Sequence, residues 1–398
     1  MAAAVPFDTG GVTTGPGVAA PQGFATYAGN AGIKDETPDV SILASTVPCS
    51  AAGVLTQSLF AGPSVQLSRR HLAGGQARAI VTVSKNANVA TGPQGEADAA
   101  ELAALAASVA GCAPEEMLVA STGVIGRPYP MHRLRAHLGR TTLPGGCRLG
   151  EVAAAIMTTD TFPKLASARA GAATVAGMAK GSGMIEPDMA TMLAYVVTDA
   201  AVDPAELAAM LGRVVDVTFN CLSIDSDTST SDSVFVLANG AAGPVEGSAV
   251  EEALLAVCRS LTLQLAADGE GATKVLQVTV DGARDRGQAR RVAKAIVNSP
   301  LVKCAVHGAD PNWGRVVMAV GKCSGEPGIT PASVRVSFAG TEVYPRLLGE
   351  EGLAALAASM KESLVVIGVS LGAGTASATV WGCDLSAEYV HINADYTT

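Results

Sequence analysis

Apolar positions recur at helical spacing over Ala97–Val109 (ADAAELAALAASV), Pro204–Val215, Val250–Ala266, Asp285–Val297 and Leu353–Ser363, which predicts five helices. Asp203-Pro204 reinforces the second of them, because the aspartate can cap and proline suits the first helical turn. Short runs rich in Val, Ile and Thr predict strands at 79–84, 117–120, 192–198, 233–237, 276–280, 315–320 and 334–338. Strands and helices alternate along the whole chain. The fold class expected is therefore layered α/β or α+β, with strand order left open.

One stretch, Ser363 to Cys383, carries no charge at all. Two β-rich runs, Leu364–Val369 and Ser377–Trp381, flank its Gly-Ala-Gly break, so it reads as a strand pair. A membrane-spanning helix would need about 20 predominantly apolar residues without such a break. Over the whole chain of 398 residues, 48% are hydrophobic and 16% charged, a globular composition. That length suggests two or three domains, but no linker or internal repeat marks a boundary. The formal net charge of -9, with no long Lys/Arg run, argues against nucleic-acid binding, which requires a dense positive footprint. No Lys or Arg precedes Lys34, which fits neither a secretory leader nor a transit peptide and predicts a cytoplasmic protein. The eight cysteines stand singly, without a CxxC pair, and read as reduced core thiols.

Standard catalytic signatures are absent. Residues 268–274 (DGEGATK) are glycine-rich but place a carboxylate where a phosphate loop would hold phosphate. Gly181-Ser182-Gly183 lacks the spacing of a nucleophile elbow. His132 and His137 are five apart and do not share the helical face of a zinc pair, so no metal is expected. Asp225, Asp227 and Asp232 superficially resemble a calcium loop that lacks its turn glycine and terminal glutamate; a polar turn before the strand at 233 is the simpler reading.

Unusual features concentrate in Lys180 to Leu193, KGSGMIEPDMATML, where small residues and a proline lead abruptly into a β-like run. A threonine hydroxyl such as that of Thr191 is a weak nucleophile without an adjacent base. Cleavage of the Ala190–Thr191 bond would create that base, since a new α-amine has a pKa of about 7.7 to 8. Taken alone, a threonine entering a strand is ordinarily structural.

KGSGMIEPDMATML resembles the self-cleavage segment of the bifunctional ornithine acetyltransferase (glutamate N-acetyltransferase) family. Further blocks resemble that family in its own order: residues 121–128 (STGVIGRP), 157–161 (MTTDT), 218–220 (TFN), 268–274, 298–303 (NSPLVK), 307–315 (HGADPNWGR) and the ending INADYTT. Together they span roughly Val40 to the C-terminus.

The resemblance implies a fold like that of the N-terminal-nucleophile hydrolases with its own connectivity. It implies self-cleavage into an α chain, Met1–Ala190, and a β chain, Thr191–Thr398, assembled as an α2β2 heterotetramer. The implied reaction moves acetyl from N2-acetyl-L-ornithine through acetyl-Thr191 to L-glutamate, in arginine synthesis. Thr122 and Gly123 correspond to the family's oxyanion donors, a hydroxyl and a backbone N–H suited to a growing negative charge. From the residues alone, Ser121-Thr122-Gly123 reads equally well as a helix-capping turn. Carried-over substrate contacts are Thr158, Lys180, Thr191, Glu270, Asn393 and Thr398; Lys180 suits a carboxylate and Glu270 an ammonium. No cofactor is implied, although some relatives also use acetyl-CoA as a donor.

One position departs from the pattern. Lys85 stands in Ser84-Lys85-Asn86 where typical members have glycine, a change found in paralogues near antibiotic-pathway genes. A related N-acyl amino acid acyltransferase or amidohydrolase of a secondary pathway, or an unprocessed non-catalytic paralogue, therefore remain alternatives at this point.

Overall fold

The computed structural model describes residues 10–186 and 192–395. Its elements are layered α/β, as expected. A nine-stranded sheet takes β1 (Thr13–Thr14), β2 (Phe24–Gly29), β3 (Val40–Leu55), β4 (Gln76–Asn86), β5 (Met117–Val124), β6 (Lys164–Ala170), β7 (Ala173–Lys180), β8 (Leu193–Ala201) and β9 (Ser233–Pro244). Its order is β1-β6-β7-β8-β9-β3-β4-β5, with β2 paired to β3. The second sheet has five strands, β10 (Val275–Ala283), β11 (Arg335–Phe338), β12 (Thr341–Tyr344), β13 (Leu364–Ser370) and β14 (Ala376–Cys383), in the order β12-β11-β13-β10-β14.

Side chains alternate across the large sheet and so feed two different cores. Tyr195, Val197, Phe235 and Leu237 point to the face covered by α4 (Leu149–Ile156), while Val196, Val234 and Val236 point to the face covered by α5 (Pro204–Val217) and α6 (Gly247–Ala267). Farther along the sheet, α1 (Pro63–His71), α2 (Gly92–Ala110) and α3 (Met131–Leu138) enclose a third core against β3, β4 and β5. The last turns of α6, Ser260 to Ala266, are buried on every side, because this helix contacts β6 and β7 of one sheet and β10 and β14 of the other. One hydrophobic cluster consequently runs through both sheets. The helices α7 (Arg286–Val297), α8 (Pro300–His307), α9 (Trp313–Gly321), α10 (Glu350–Ser359) and α11 (Ala387–Asp395) complete the C-terminal half.

Several expectations are corrected. The β-branched run at 315–320 is not a strand but lies in α9: Asn312 caps it by accepting from Arg315 N at 3.2 Å, and Val316, Ala319 and Val320 fall on its buried face. The runs at 364–369 and 377–381 are strands, yet they do not pair; β10 lies between them, parallel to β13 and antiparallel to β14. Ser121-Thr122-Gly123 is not a capping turn, because β5 continues through it to Val124. Of the eight cysteines, only Cys49, Cys221, Cys258 and Cys383 are buried. Among the described residues, no helix is long and apolar enough to cross a membrane.

Candidate active site

The parallel pair β4–β5 supplies the first wall of a pocket. Its register shifts near Lys85 and Asn86, where Gly123 runs so close that a Cβ would stand 2.6 Å from Lys85 Cα. With φ at +125°, this position requires glycine on both counts. Lys85 itself has φ +73°, the left-handed conformation that glycine adopts freely and lysine does not. The departure seen in sequence thus falls on the bulge that abuts the Thr122-Gly123 pair.

The second wall is the end of β7. Lys180 Nζ donates to Thr122 Oγ1 at 3.3 Å. An ammonium is donor-only, so Thr122 acts as acceptor in that bond and keeps its own hydroxyl proton for another acceptor. Lys180 is only 7% exposed; burial lowers its pKa, opposed by the Asp160 carboxylate. Gly181 N, next in the chain, donates to Asp160 Oδ1 at 2.6 Å, and Thr158 N donates to Asp160 Oδ2 at 3.0 Å.

Asp160 belongs to a buried ionic group that sequence reasoning missed. Lys164 Nζ lies 2.7 Å from Asp160 Oδ1 and 2.5 Å from Asp268 Oδ2, with its side chain fully buried. Burial alone would raise the Asp160 pKa, but the Lys164 and Lys180 cations outweigh it and hold the carboxyl well below the usual range. Asp268 in turn accepts from Thr161 N at 3.0 Å. This group ties the Thr158–Thr161 loop and the end of β7 to the 268–274 loop. From the other side Lys34 Nζ fixes the end of α4 that leads into the Thr158–Thr161 loop, donating to Ala155 O and Met157 O at 3.0 and 2.7 Å. Its burial lowers the Lys34 pKa to about 8, against the pull of Asp39.

The 268–274 loop and α11 close the third side. Glu270 N donates to Ser182 O at 2.8 Å, and Glu270 Oε2 accepts from Asn393 Nδ2 at 2.8 Å. Glu270 is 8% exposed, far from the solvated surface charge that its residue type suggests. Thr122, Gly123, Thr158, Lys180, Glu270 and Asn393 accordingly line a single pocket, although they span 272 positions of sequence. The expected nucleophile Thr191, its neighbour Ala190 and the terminal Thr398 lie outside the described residues.

The chain on both sides of 187–191 is pinned to the 225–233 segment. Asp225 accepts from Met184 N and Ile185 N at 2.6 and 2.8 Å, and Ser233 N donates to Met192 O at 2.9 Å. Asp225 therefore behaves as the polar-turn residue expected. Asp232 does not: it is 2% exposed and lines the pocket together with Ser229 to Ser231. Burial pushes its carboxyl well above the usual range, against the hydrogen bonds from Ser229 and the Lys180 charge. Among the described residues no group of three or more His, Cys, Asp or Glu is arranged to hold a metal ion.

Comparison with known proteins identifies the family. Residues 25–398 match the ArgJ family. The chain is similar to an arginine biosynthesis bifunctional protein ArgJ of Nostoc sp., 54% identical over 95% of this chain and 98% of the relative. It is also similar to glutamate N-acetyltransferase Oat2 of Streptomyces clavuligerus, 50% identical over 95% of this chain and 98% of that protein. Among solved structures, the arginine biosynthesis bifunctional protein argJ of Bacillus halodurans is 39% identical, covering 52% of this chain and 100% of its own, with a TM-score of 0.48. With a family match over nearly its whole length and relatives at half identity or better, this chain belongs to the ArgJ family.

Proposed function

We propose that this protein is a glutamate N-acetyltransferase of arginine biosynthesis that moves acetyl from N2-acetyl-L-ornithine to L-glutamate. The observation that carries the reading is the single pocket formed by Thr122, Gly123, Thr158, Lys180, Glu270 and Asn393. In the proposed reaction the chain cuts itself between Ala190 and Thr191, and the new α-amine accepts the proton as Thr191 Oγ attacks the acetyl carbonyl. Charge growing on the carbonyl oxygen meets the free hydroxyl proton of Thr122 and the N–H of Gly123. Lys180 holds a substrate carboxylate and Glu270, braced by Asn393, an ammonium. Glutamate then attacks acetyl-Thr191. Acetyl-CoA as a second donor, docking of Thr398 at the site, and an α2β2 assembly of Met1–Ala190 with Thr191–Thr398 belong to the same proposal.

Intact-mass spectrometry tests it. The purified protein should give fragments beginning at Met1 and Thr191, and brief incubation with N2-acetyl-L-ornithine should add one acetyl mass to the second. Thr191→Ala should abolish both the cut and the mass gain; two fragments persisting in that variant would remove Thr191 from self-processing.

A further inference from the structure

Releasing one substrate amine and accepting the other in their ammonium forms involves more protons than the assigned nucleophile can handle. The amide nitrogen of N2-acetyl-L-ornithine carries one hydrogen and leaves in an ammonium carrying three. The Thr191 hydroxyl, relayed by its own α-amine, supplies one of the two protons that the nitrogen gains. The other has no source among the residues assigned so far. When glutamate reacts, its ammonium must shed two protons, and again only one has a destination.

Asp232 has the features such a carrier needs. It is 2% exposed and stands in the wall that also holds Thr122, Gly123, Lys180 and Glu270. Its Oδ2 is buried and has no hydrogen-bond partner among the described residues, an arrangement that is costly unless a partner arrives with the ligand. The adjoining Ser233 N donates to the carbonyl of Met192 at 2.9 Å, which fixes Asp232 beside the start of β8. Resting on the transferase reading above, we propose that Asp232 is a second acid–base group, which exchanges a proton with the α-nitrogen of the substrate amino acid.

In the first half-reaction Thr191 Oγ bonds to the acetyl carbon and passes its proton to the α-amine. The C–N bond then breaks while the nitrogen receives that proton and a second one from the Asp232 carboxyl. Ornithine departs as an ammonium, leaving acetyl-Thr191 and an Asp232 carboxylate. In the second half the glutamate ammonium returns one proton to Asp232 and, as the C–N bond forms and the C–Oγ bond breaks, the other through the α-amine to Oγ. Both groups end as they began. The raised pKa of the buried Asp232 carboxyl favours its starting the cycle protonated. Lys180 of β7 and Glu270 face the same space, with Asp160 behind Lys180.

The test compares two acetyl donors in Asp232→Asn, which keeps the shape but cannot carry a proton. p-Nitrophenyl acetate expels a phenolate that needs no protonation. Transfer from N2-acetyl-L-ornithine should fall by about 10²-fold or more, while acetylation of the Thr191 fragment by p-nitrophenyl acetate should stay within about threefold of wild type. Equal losses with both donors, or unchanged transfer, would overturn the role of Asp232. Wild-type protein that takes acetyl on the Thr191 fragment from neither donor would instead refute the transferase reading itself. A second measurement uses the native protein and does not depend on the variant folding or processing. The single-turnover acetylation rate at saturating acetylornithine should fall as pH rises through the Asp232 titration, and the ester donor should show no such fall. Identical profiles for the two donors would overturn the proposal.

Discussion

Replacing Lys164 with methionine probes the ionic group that holds the site together. The lysine side chain is fully buried, and its two partners, Asp160 and Asp268, are 0% and 3% exposed. Methionine matches its volume but leaves two buried carboxylates without their shared cation. Breaking a buried ion pair by removing one partner costs about 3–5 kcal/mol, which is the loss expected here in urea denaturation at neutral pH. The loss should depend on pH. In the wild type, the folded Asp160 pKa lies below its unfolded value of about 3.9, so its stabilisation is complete above that pH and disappears only as pH falls further. Without Lys164 the strongest influence opposing burial is gone, while Lys180 and the Gly181 N–H remain, so the folded pKa rises and the Asp160 contribution to stability shrinks. The difference between variant and wild type should therefore open as pH rises past the depressed wild-type folded pKa, be substantial already at pH 4, and stop growing once pH exceeds the folded pKa of the variant, with about 1.4 kcal/mol per unit of pKa difference. Adding Asp160→Asn to Lys164→Met removes one of the stranded charges and should recover part of the loss. A penalty under about 1 kcal/mol at pH 7, or one that does not shrink as pH falls below 4, would refute the assignment of these three residues as a coupled buried group.

Two further outcomes concern the bulge beside Thr122. Gly123→Ala should cost more than about 3 kcal/mol and abolish transfer, since the new Cβ would overlap the Lys85 backbone at a φ of +125° that alanine resists; a soluble, active variant would show that β4 and β5 can separate here. Lys85→Gly should stabilise the protein by up to about 1 kcal/mol in thermal denaturation by relieving the left-handed lysine, and a destabilised variant would show that the lysine side chain contributes more than its backbone costs.

How much of this was legible depended on where polarity and periodicity agreed. α5 and α7 are plain in sequence because Asp203 and Asp285 cap amphipathic runs, and both aspartates do accept backbone N–H bonds at those helix starts. β6 and β7 were not foreseen: KLASARA and ATVAGMAK are built largely of alanine and glycine, which carry little β propensity, and they become strands because the sheet buries them from both sides. α9 shows the opposite failure, a Val-rich run whose capping asparagine and i, i+3, i+4 apolar spacing outweigh residue preference. At the site, the resemblance brought out Thr122, Gly123, Thr158, Lys180, Glu270 and Asn393, whereas the ionic group of Asp160, Lys164 and Asp268 went unnoticed and Asp232 was read as a residue of a polar turn. Single charges in sequence read as surface, and only the folded chain reveals that these four are enclosed.

The order of strands in the large sheet has a consequence for assembly. β8 and β9, from the C-terminal side of residues 187–191, are inserted between β7 and β3, both from the N-terminal side. The N-terminal strands on their own form two separate patches, β1-β6-β7 and β2-β3-β4-β5, which meet only through that insertion. Each piece synthesised alone would present bare strand edges on both flanks of the missing pair, the kind of surface that recruits other chains into aggregates. The two halves are thus interleaved like the fingers of clasped hands, and severing the backbone between them would release a new chain end without releasing either half.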